Sequence, residues 1–248
     1  EPDFNDLINK ISINTKGIII NSPSNPTGGV WSNEAIQETL MIANKNNLWV
    51  FSDECYEQLT YDIPFKSIAT FNPDLDNIIT FQSCSKTYAM TGWRIGYLAG
   101  NAKLVNAIAK LQGQSTSCPN SIAQYAAIEA LTGDQECVLD MKKKFHKRRD
   151  LILQELSKIS NITCEKPNGA FYVFPNIGHY LNTCNHKGEP IRTSSDLSLY
   201  ILDMTGVVTV AGDSFGAPNY IRLSYATSDQ VIIDACQLIN QALLKLNF

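Results

Sequence analysis

Short apolar runs alternate with polar loops and helical patterns through the first half of the chain. Between the first two runs, Ser32 precedes apolar positions at roughly helical spacing, and Asn46 and Asn47 end the pattern. Strands and helices in alternation are typical of a mostly parallel sheet covered by helices. The predicted strands are residues 17–20, 48–52, 77–81 and 94–99, and further helices are predicted at residues 102–111 and 121–131.

The pattern changes after Thr132-Gly133-Asp134. A long charged helix is predicted to run from there towards Lys158, and its basic residues 142–144 and 147–149 are expected to form a solvated face. Beyond this helix, the pattern predicts a strand at 170–174, a polar loop at 178–192, a helix at 195–204, strands at 207–210 and 220–225, and a final helix. We therefore predict a large domain at residues 1–133 and a smaller α+β domain at residues 134–248.

Composition excludes several classes of protein. The chain has 248 residues, of which 44% are hydrophobic and 18% charged, with a net charge of −4, so disordered and fibrous classes are excluded and no nucleic-acid partner is indicated. The apolar runs are far shorter than the roughly twenty residues that span a bilayer, so no membrane segment is predicted. Seven scattered cysteines indicate free thiols in the cytoplasm, and three histidines without metal-ligand spacing predict no metal site. Because Glu1 begins the sequence without a signal peptide, we expect a start inside a longer chain.

The most specific local motif is Ser83-Cys84-Ser85-Lys86, which follows a predicted strand and precedes Arg94 by eight residues. Ligands of open α/β sheets bind outside the carboxyl ends of the strands, where a partly desolvated lysine is a nucleophilic amine. Nearby hydroxyls and an arginine fork suit a phosphate dianion. On this segment alone, a surface lysine in a serine-rich turn remains the alternative.

Two other segments follow predicted strands. Prolines and glycines stiffen residues 21–29, whose asparagines either bind a planar ligand or only satisfy the backbone. Ser52-Asp53-Glu54-Cys55-Tyr56 places a carboxylate and a phenol three residues apart. If Asp53 is buried, it needs a cationic or hydrogen-bond-donating partner. The alternative is that Asp53 is exposed and caps a helix. Together with the Lys86 motif, these groups match the aldehyde, phosphate, pyridinium nitrogen and phenolate oxygen of pyridoxal phosphate.

The order and spacing of these motifs resemble the class I pyridoxal-phosphate-dependent aminotransferases of fold type I, most closely the bacterial aspartate aminotransferases. The resemblance covers essentially the whole chain. It implies a three-layer α/β fold, with a mostly parallel sheet in a large domain that is only partly present and a smaller α+β C-terminal domain. The matching motifs are residues 83–86, 92–96, 212–216 and 220–226.

The resemblance also implies a role for each matching side chain. Lys86 would form the internal aldimine with pyridoxal 5′-phosphate and then move the reacting proton, while Asp53 would keep the pyridine nitrogen protonated. Tyr56 and Asn25 would hydrogen-bond the 3′ oxygen. Arg222 would bind the substrate α-carboxylate, next to Asn25, and the Asn25-Pro26 bond is expected to be cis. The implied catalytic residues are Lys86, Asp53 and Tyr56, and the implied phosphate ligands are Ser83, Ser85 and Arg94.

The activity implied by the resemblance is ping-pong transamination between an L-amino acid, with aspartate favoured, and 2-oxoglutarate. The family's long N-terminal part has no counterpart in this sequence, so we expect a fragment or a truncated gene product of a cytoplasmic homodimer. Three alternatives stay open. They are a lyase or an aminotransferase of other specificity on the same fold, an inactive fragment, and a ligand-sensing module of a regulator.

Overall fold

The computed structural model describes residues 1–71 and 77–247. Within these residues the strands are β1 (Gly17–Asn21), β2 (Trp49–Asp53), β3 (Ile78–Ser83), β4 (Gly96–Gly100), β5 (Tyr172–Val173), β6 (Thr183–Cys184), β7 (Pro190–Ile191), β8 (Val210–Ala211) and β9 (Ile221–Ser224). The helices are α1 (Phe4–Lys10), α2 (Asn33–Lys45), α3 (Cys84–Thr87), α4 (Ala102–Ser115), α5 (Ser121–Thr132), α6 (Glu136–Leu156), α7 (Ser194–Thr205) and α8 (Asp229–Leu243). Short 3-10 turns cover Ile68–Phe71, Thr91–Trp93, Gly178–Tyr180 and Gly212–Phe215.

The chain divides into two compact units. The first consists of Glu1–Ser24 and Gly29–Lys142, and the second of Asn25–Gly28 and Lys143–Phe248. The division falls inside α6, ten residues beyond Thr132, where α5 ends. The predicted domain boundary after residue 133 stays a prediction.

The first unit contains a four-stranded sheet in the order β1-β2-β3-β4. Strands β1, β2 and β3 are parallel, and β4 is antiparallel to β3. In this register Asn21 pairs with Asp53, and Asp53 pairs with Phe81. The carboxyl ends of the three parallel strands therefore lie side by side at one edge of the sheet, as the α/β fold class predicted.

Helix α2 covers one face of this sheet. It begins where the sequence indicated, because the Ser32 hydroxyl accepts a hydrogen bond from the backbone N–H of Ala35 (3.1 Å). Ile36 and Leu40 of α2 pack in one hydrophobic cluster with Val50 of β2 and Ile78 of β3. This cluster fixes the sheet from which the loops of the candidate site extend.

The second unit contains a three-stranded sheet in the order β5-β9-β8 and a two-stranded sheet formed by β6 and β7. Helix α7 begins with a capping box in which the Thr193 hydroxyl accepts from the Asp196 backbone N–H and the Asp196 carboxylate accepts from the Thr193 backbone N–H. The fully buried side chains of this unit include Ile177, Leu197, Ile201, Ile221 and Tyr225. Ile221 belongs to β9, which also carries Arg222.

Three predictions about the second unit are wrong in detail. Residues 178–192 are not one loop, because they contain a 3-10 turn and the β6–β7 pair. The predicted strand at 207–210 is reduced to β8, since Val210 and Ala211 are the residues that pair with β9. Arg149 is not on a solvated face: its side chain is fully buried, and its guanidinium donates to the Pro167 carbonyl and to Asp150. The helix pattern did not show the contact with Pro167, eighteen residues along the chain.

The core of the first unit predicts a stability test. Ile79 on β3 is fully buried, so Ile79→Ala is expected to lower the free energy of unfolding by about 2–5 kcal/mol through lost burial and a cavity. Ile13, whose exposed fraction is 93%, is the matched control, and Ile13→Ala should cost less than about 0.5 kcal/mol. Urea unfolding of both variants measures the difference. Equal losses would contradict the placement of β3 in the core.

Candidate active site

Asp53 lies at the carboxyl end of β2 in the first unit and is half-buried. Its Oδ1 accepts a hydrogen bond from the backbone N–H of Cys55 (3.1 Å). Asp53 and Cys55 line an open cavity of about 610 Å³ together with Phe81 and Ser83. Burial, reinforced by the negative charge of Asp53, raises the pKa of the Cys55 thiol to about 12. Cys55 is therefore a neutral neighbour of Asp53 at physiological pH, and not a nucleophile.

The turn that carries Lys86 begins at the end of β3. The Ser83 hydroxyl accepts from the Ser85 backbone N–H (3.1 Å), which caps α3, and it donates to the Ile95 carbonyl (3.4 Å). Lys86 is half-buried at the end of this short helix, and its Nζ lies 5.9 Å from the centre of the Tyr56 ring. Tyr56 itself is buried. The structure thus places the predicted lysine beside the predicted phenol.

Arg94 lies apart from the Asp53 cavity. Its backbone is in the left-handed region (φ 52°), its side chain is exposed, and Nη1 donates to the Thr91 carbonyl (3.0 Å). It lines a second open cavity of about 600 Å³ with Trp93 and Asn120. The cavity-lining residues thus bring Asp53 and Ser83 together, whereas Arg94 belongs to a different opening, and its role as a phosphate ligand stays a prediction.

The second unit holds the other two predicted residues, Asn25 and Arg222, in direct contact. Arg222 Nη1 donates to Asn25 Oδ1 (2.6 Å). The guanidinium carbon lies 4.6 Å from the centre of the Tyr172 ring and 5.5 Å from that of Phe215. These rings restrict the arginine side chain through cation–π contact. The predicted cis bond between Asn25 and Pro26 is confirmed.

The structure also shows residues that sequence reasoning missed. Tyr172 and Phe215 support Arg222. Tyr172 lies fifty residues before Arg222 in the chain and Phe215 seven residues before it, so neither helix nor strand periodicity connects the three. Glu54 was read only as part of the Asp53 motif, but it is a buried carboxylate with several hydrogen-bond donors. The sequence did contain one indication of this role for Glu54, because a second carboxylate directly after Asp53 must be either hydrated or hydrogen-bonded to the protein.

Two classes of feature are absent from residues 1–71 and 77–247. No group of three or more His, Cys, Asp or Glu side chains there is arranged to hold a metal ion. No helix in the same part of the chain is long and apolar enough to cross a membrane.

Curated relatives match almost the whole chain. A probable aspartate/prephenate aminotransferase of Rhizobium leguminosarum bv. phaseoli is 41% identical over 239 residues, covering 95% of this chain and 60% of its own length. The aspartate/prephenate aminotransferase of Cereibacter sphaeroides is 42% identical over 232 residues, covering 92% of this chain and 58% of its own length. The chain thus spans about 60% of the length of the curated relatives that it matches.

Solved structures of aspartate aminotransferases also match almost the whole chain. The aspartate aminotransferase of Rhizobium meliloti superposes with a TM-score of 0.94 at 35% identity, covering 100% of this chain and 62% of the other. The Thermus thermophilus aspartate aminotransferase with maleate gives a TM-score of 0.87 at 32% identity, covering 97% of this chain and 60% of the other. These neighbours share fold type I, which confirms the predicted fold class. The sequence profile of one family, Aminotransferase class I and II, matches residues 1–239. The chain belongs to the aminotransferase class I and II family.

Proposed function

We propose that the protein is a pyridoxal-phosphate-dependent aminotransferase that moves an amino group from aspartate to 2-oxoglutarate in a ping-pong reaction. Family membership supports the reaction type. The observation that carries the proposal is the arrangement in the first unit, where half-buried Lys86 lies beside Tyr56, and Asp53 shares a cavity with Ser83, the cap of the Lys86 helix. We further propose that the protein acts as a cytoplasmic homodimer.

The residues of the first unit fit pyridoxal phosphate by their chemistry. The Asp53 carboxylate accepts a hydrogen bond from the backbone N–H of Cys55, and its further oxygen lone pairs suit a protonated ring nitrogen. Lys86 supplies the primary amine that an aldehyde requires. Tyr56 supplies a phenol for the ring oxygen. Ser83, Ser85 and Arg94 supply hydroxyls and a guanidinium for the phosphate.

Each of these side chains has one task in the proposed mechanism. When bound, pyridoxal phosphate would supply an electron-accepting ring for the electron pair that remains on the substrate α-carbon after that carbon loses its proton. Asp53 holds the ring nitrogen protonated, so the pair can be accepted. Lys86 would hold the cofactor through its side-chain amine, and the same amine would serve as the general base for the α-proton of the substrate. Tyr56 orients the ring by a hydrogen bond to its phenolic oxygen.

Arg222 is proposed to bind the α-carboxylate of the substrate. A guanidinium presents two parallel N–H donors that match the two oxygens of a carboxylate. Asn25 accepts one hydrogen bond from this guanidinium, and the Tyr172 ring lies against it. The side chain is therefore held in a defined orientation before substrate arrives, which lowers the entropy lost on binding.

A second amino-group acceptor is suggested by the names of the relatives. The relative of Cereibacter sphaeroides is named an aspartate/prephenate aminotransferase, and that of Rhizobium leguminosarum bv. phaseoli a probable one. We therefore propose prephenate as an acceptor alongside 2-oxoglutarate. Parallel assays with aspartate as the donor test each acceptor separately, because aspartate is converted to oxaloacetate only if the acceptor is used.

The charge of Asp53 is predicted to be essential for amino transfer. Asp53→Ala should lower the rate of oxaloacetate formation from aspartate by roughly 10²–10³-fold, because a fixed charge that stabilises the reacting state is lost. Asp53→Asn is the matched control for shape. It keeps the size of the side chain but not its charge, so it should be nearly as slow. A rate close to that of the unaltered protein in either variant would refute the role of Asp53.

The forked shape of Arg222 is predicted to matter as much as its charge. Arg222→Lys should raise the KM for aspartate roughly 10- to 100-fold, since one charge-assisted hydrogen bond is lost, while the Kd for pyridoxal phosphate stays within about twofold. Exposed Arg192 offers a control, and Arg192→Lys should change neither constant. An unchanged KM in Arg222→Lys would rule out the carboxylate role.

A further inference from the structure

Glu54 directly follows Asp53 and is buried, with an exposed fraction of 1%. Its carboxylate accepts four hydrogen bonds. Oε1 accepts from the Ser52 hydroxyl (3.0 Å), the Ser67 hydroxyl (3.1 Å) and the Ile68 backbone N–H (3.1 Å), and Oε2 accepts from Gln82 Nε2 (3.2 Å). The proposed mechanism gives this carboxylate no task.

A buried carboxylate is unfavourable unless donors replace the water it loses. Burial raises the pKa of Glu54, and the hydrogen bonds from Ser67, Ile68, Ser52 and Gln82 oppose that rise. An apolar side chain of similar size would fill the same space without this desolvation, so burial of a carboxylate contributes little net stability. The effect of the Glu54 carboxylate is instead to fix the positions of the segments that donate hydrogen bonds to it.

The four donors belong to three segments of the first unit. Ser52 precedes Asp53 on β2, and Gln82 precedes Ser83 at the end of β3. Ile68 begins a 3-10 turn, which Ser67 directly precedes. Along β2 the residues alternate, since Ser52 and Glu54 are buried whereas Phe51 and Asp53 line the cavity. One carboxylate thus joins the strand end that carries Asp53 and the strand end that leads to Lys86, where Gln82 also lines the cavity.

We propose that Glu54 is a positioning residue: its hydrogen bonds to Ser52 and Gln82 hold Asp53 in place relative to the turn that carries Ser83 and Lys86. The inference rests on the proposed function, because it concerns the pyridoxal-phosphate groups of that site. Glu54 acts through its neighbours and does not touch the reacting atoms.

The bond between Glu54 and Gln82 can be removed from either side. Glu54→Gln replaces the carboxylate oxygen that faces Gln82 with an NH2 group, so the NH2 group of Gln82 loses its acceptor. The oxygen that remains at position 54 can still accept from Ser52 and Ser67. Gln82→Met removes the donor at nearly constant size and leaves the other three hydrogen bonds of Glu54 intact. If Glu54→Gln fails to fold, Gln82→Met still tests the bond.

The experiment measures the Kd for pyridoxal phosphate by absorbance, and the unfolding temperature without cofactor, for the protein in the full length that its gene encodes. Glu54→Gln is expected to weaken cofactor binding about tenfold, and Gln82→Met by a similar factor. Both substitutions break the same hydrogen bond, so the double variant should bind pyridoxal phosphate about tenfold more weakly than the unaltered protein, and not a hundredfold. Glu57→Gln, which makes the same chemical change three residues on, should stay within about twofold.

Three results would overturn the proposal. The Kd of Glu54→Gln could equal that of the unaltered protein while its unfolding temperature falls, which would make Glu54 purely structural. The Kd of Gln82→Met could likewise be unchanged. The two fold-changes could also multiply in the double variant, which would show that the side chains act independently. Failure of the unaltered protein to bind pyridoxal phosphate would instead contradict the proposed function, so the two failures are distinguishable.

Discussion

The parallel register of β1, β2 and β3 is the constraint on which the first unit depends. Pairing of Asn21 with Asp53, and of Asp53 with Phe81, brings the ends of three strands to one edge of the sheet. Each strand end then continues into a polar segment, and these segments carry Asp53, Tyr56 and the Lys86 turn. Because side chains alternate along a strand, a slip of one residue would turn Asp53 into the interior and Glu54 towards the cavity. The positions of Asp53 and Glu54 therefore agree with the observed register and not with a register shifted by one residue.

Each unit contains a buried charged side chain that is held by hydrogen bonds. Glu54 in the first unit accepts hydrogen bonds from three separate segments, and Arg149 in the second donates to the Pro167 carbonyl and to Asp150. A buried charge that lost these partners would cost several kcal/mol by itself. Such groups therefore tie loops to particular positions, which apolar packing does less specifically. In the second unit, the loop that follows Pro167 is fixed to Gly28, whose carbonyl accepts from Asn168 and Gly169. Asn25, three residues before Gly28, is the acceptor for Arg222.

Local pattern was enough to predict the strands and helices of the first unit to within a few residues, because each has a clear apolar period and a clear end. Ser32, for example, caps α2 as predicted. The family resemblance assigned Lys86 and Tyr56 to one cofactor, and the two side chains do lie near each other. Local pattern did not predict α1, whose cap is Asp3, or the burial of Glu54 and Arg149. Burial of a charged residue depends on donors and acceptors far along the chain, which no local period records. The apolar period also did not record the left-handed backbone of Arg94 or its placement at a cavity other than that of Asp53.

Covalent attachment of pyridoxal phosphate to Lys86 is the central claim, and it has a direct measurement. The protein is mixed with pyridoxal phosphate, reduced with borohydride, digested, and mapped by mass spectrometry for the phosphopyridoxyl label. The account predicts that the label lies on the peptide that contains Lys86, and that Lys86→Ala carries none on the corresponding peptide and little elsewhere. A label spread over several surface lysines, or an equal amount in Lys86→Ala, would contradict it.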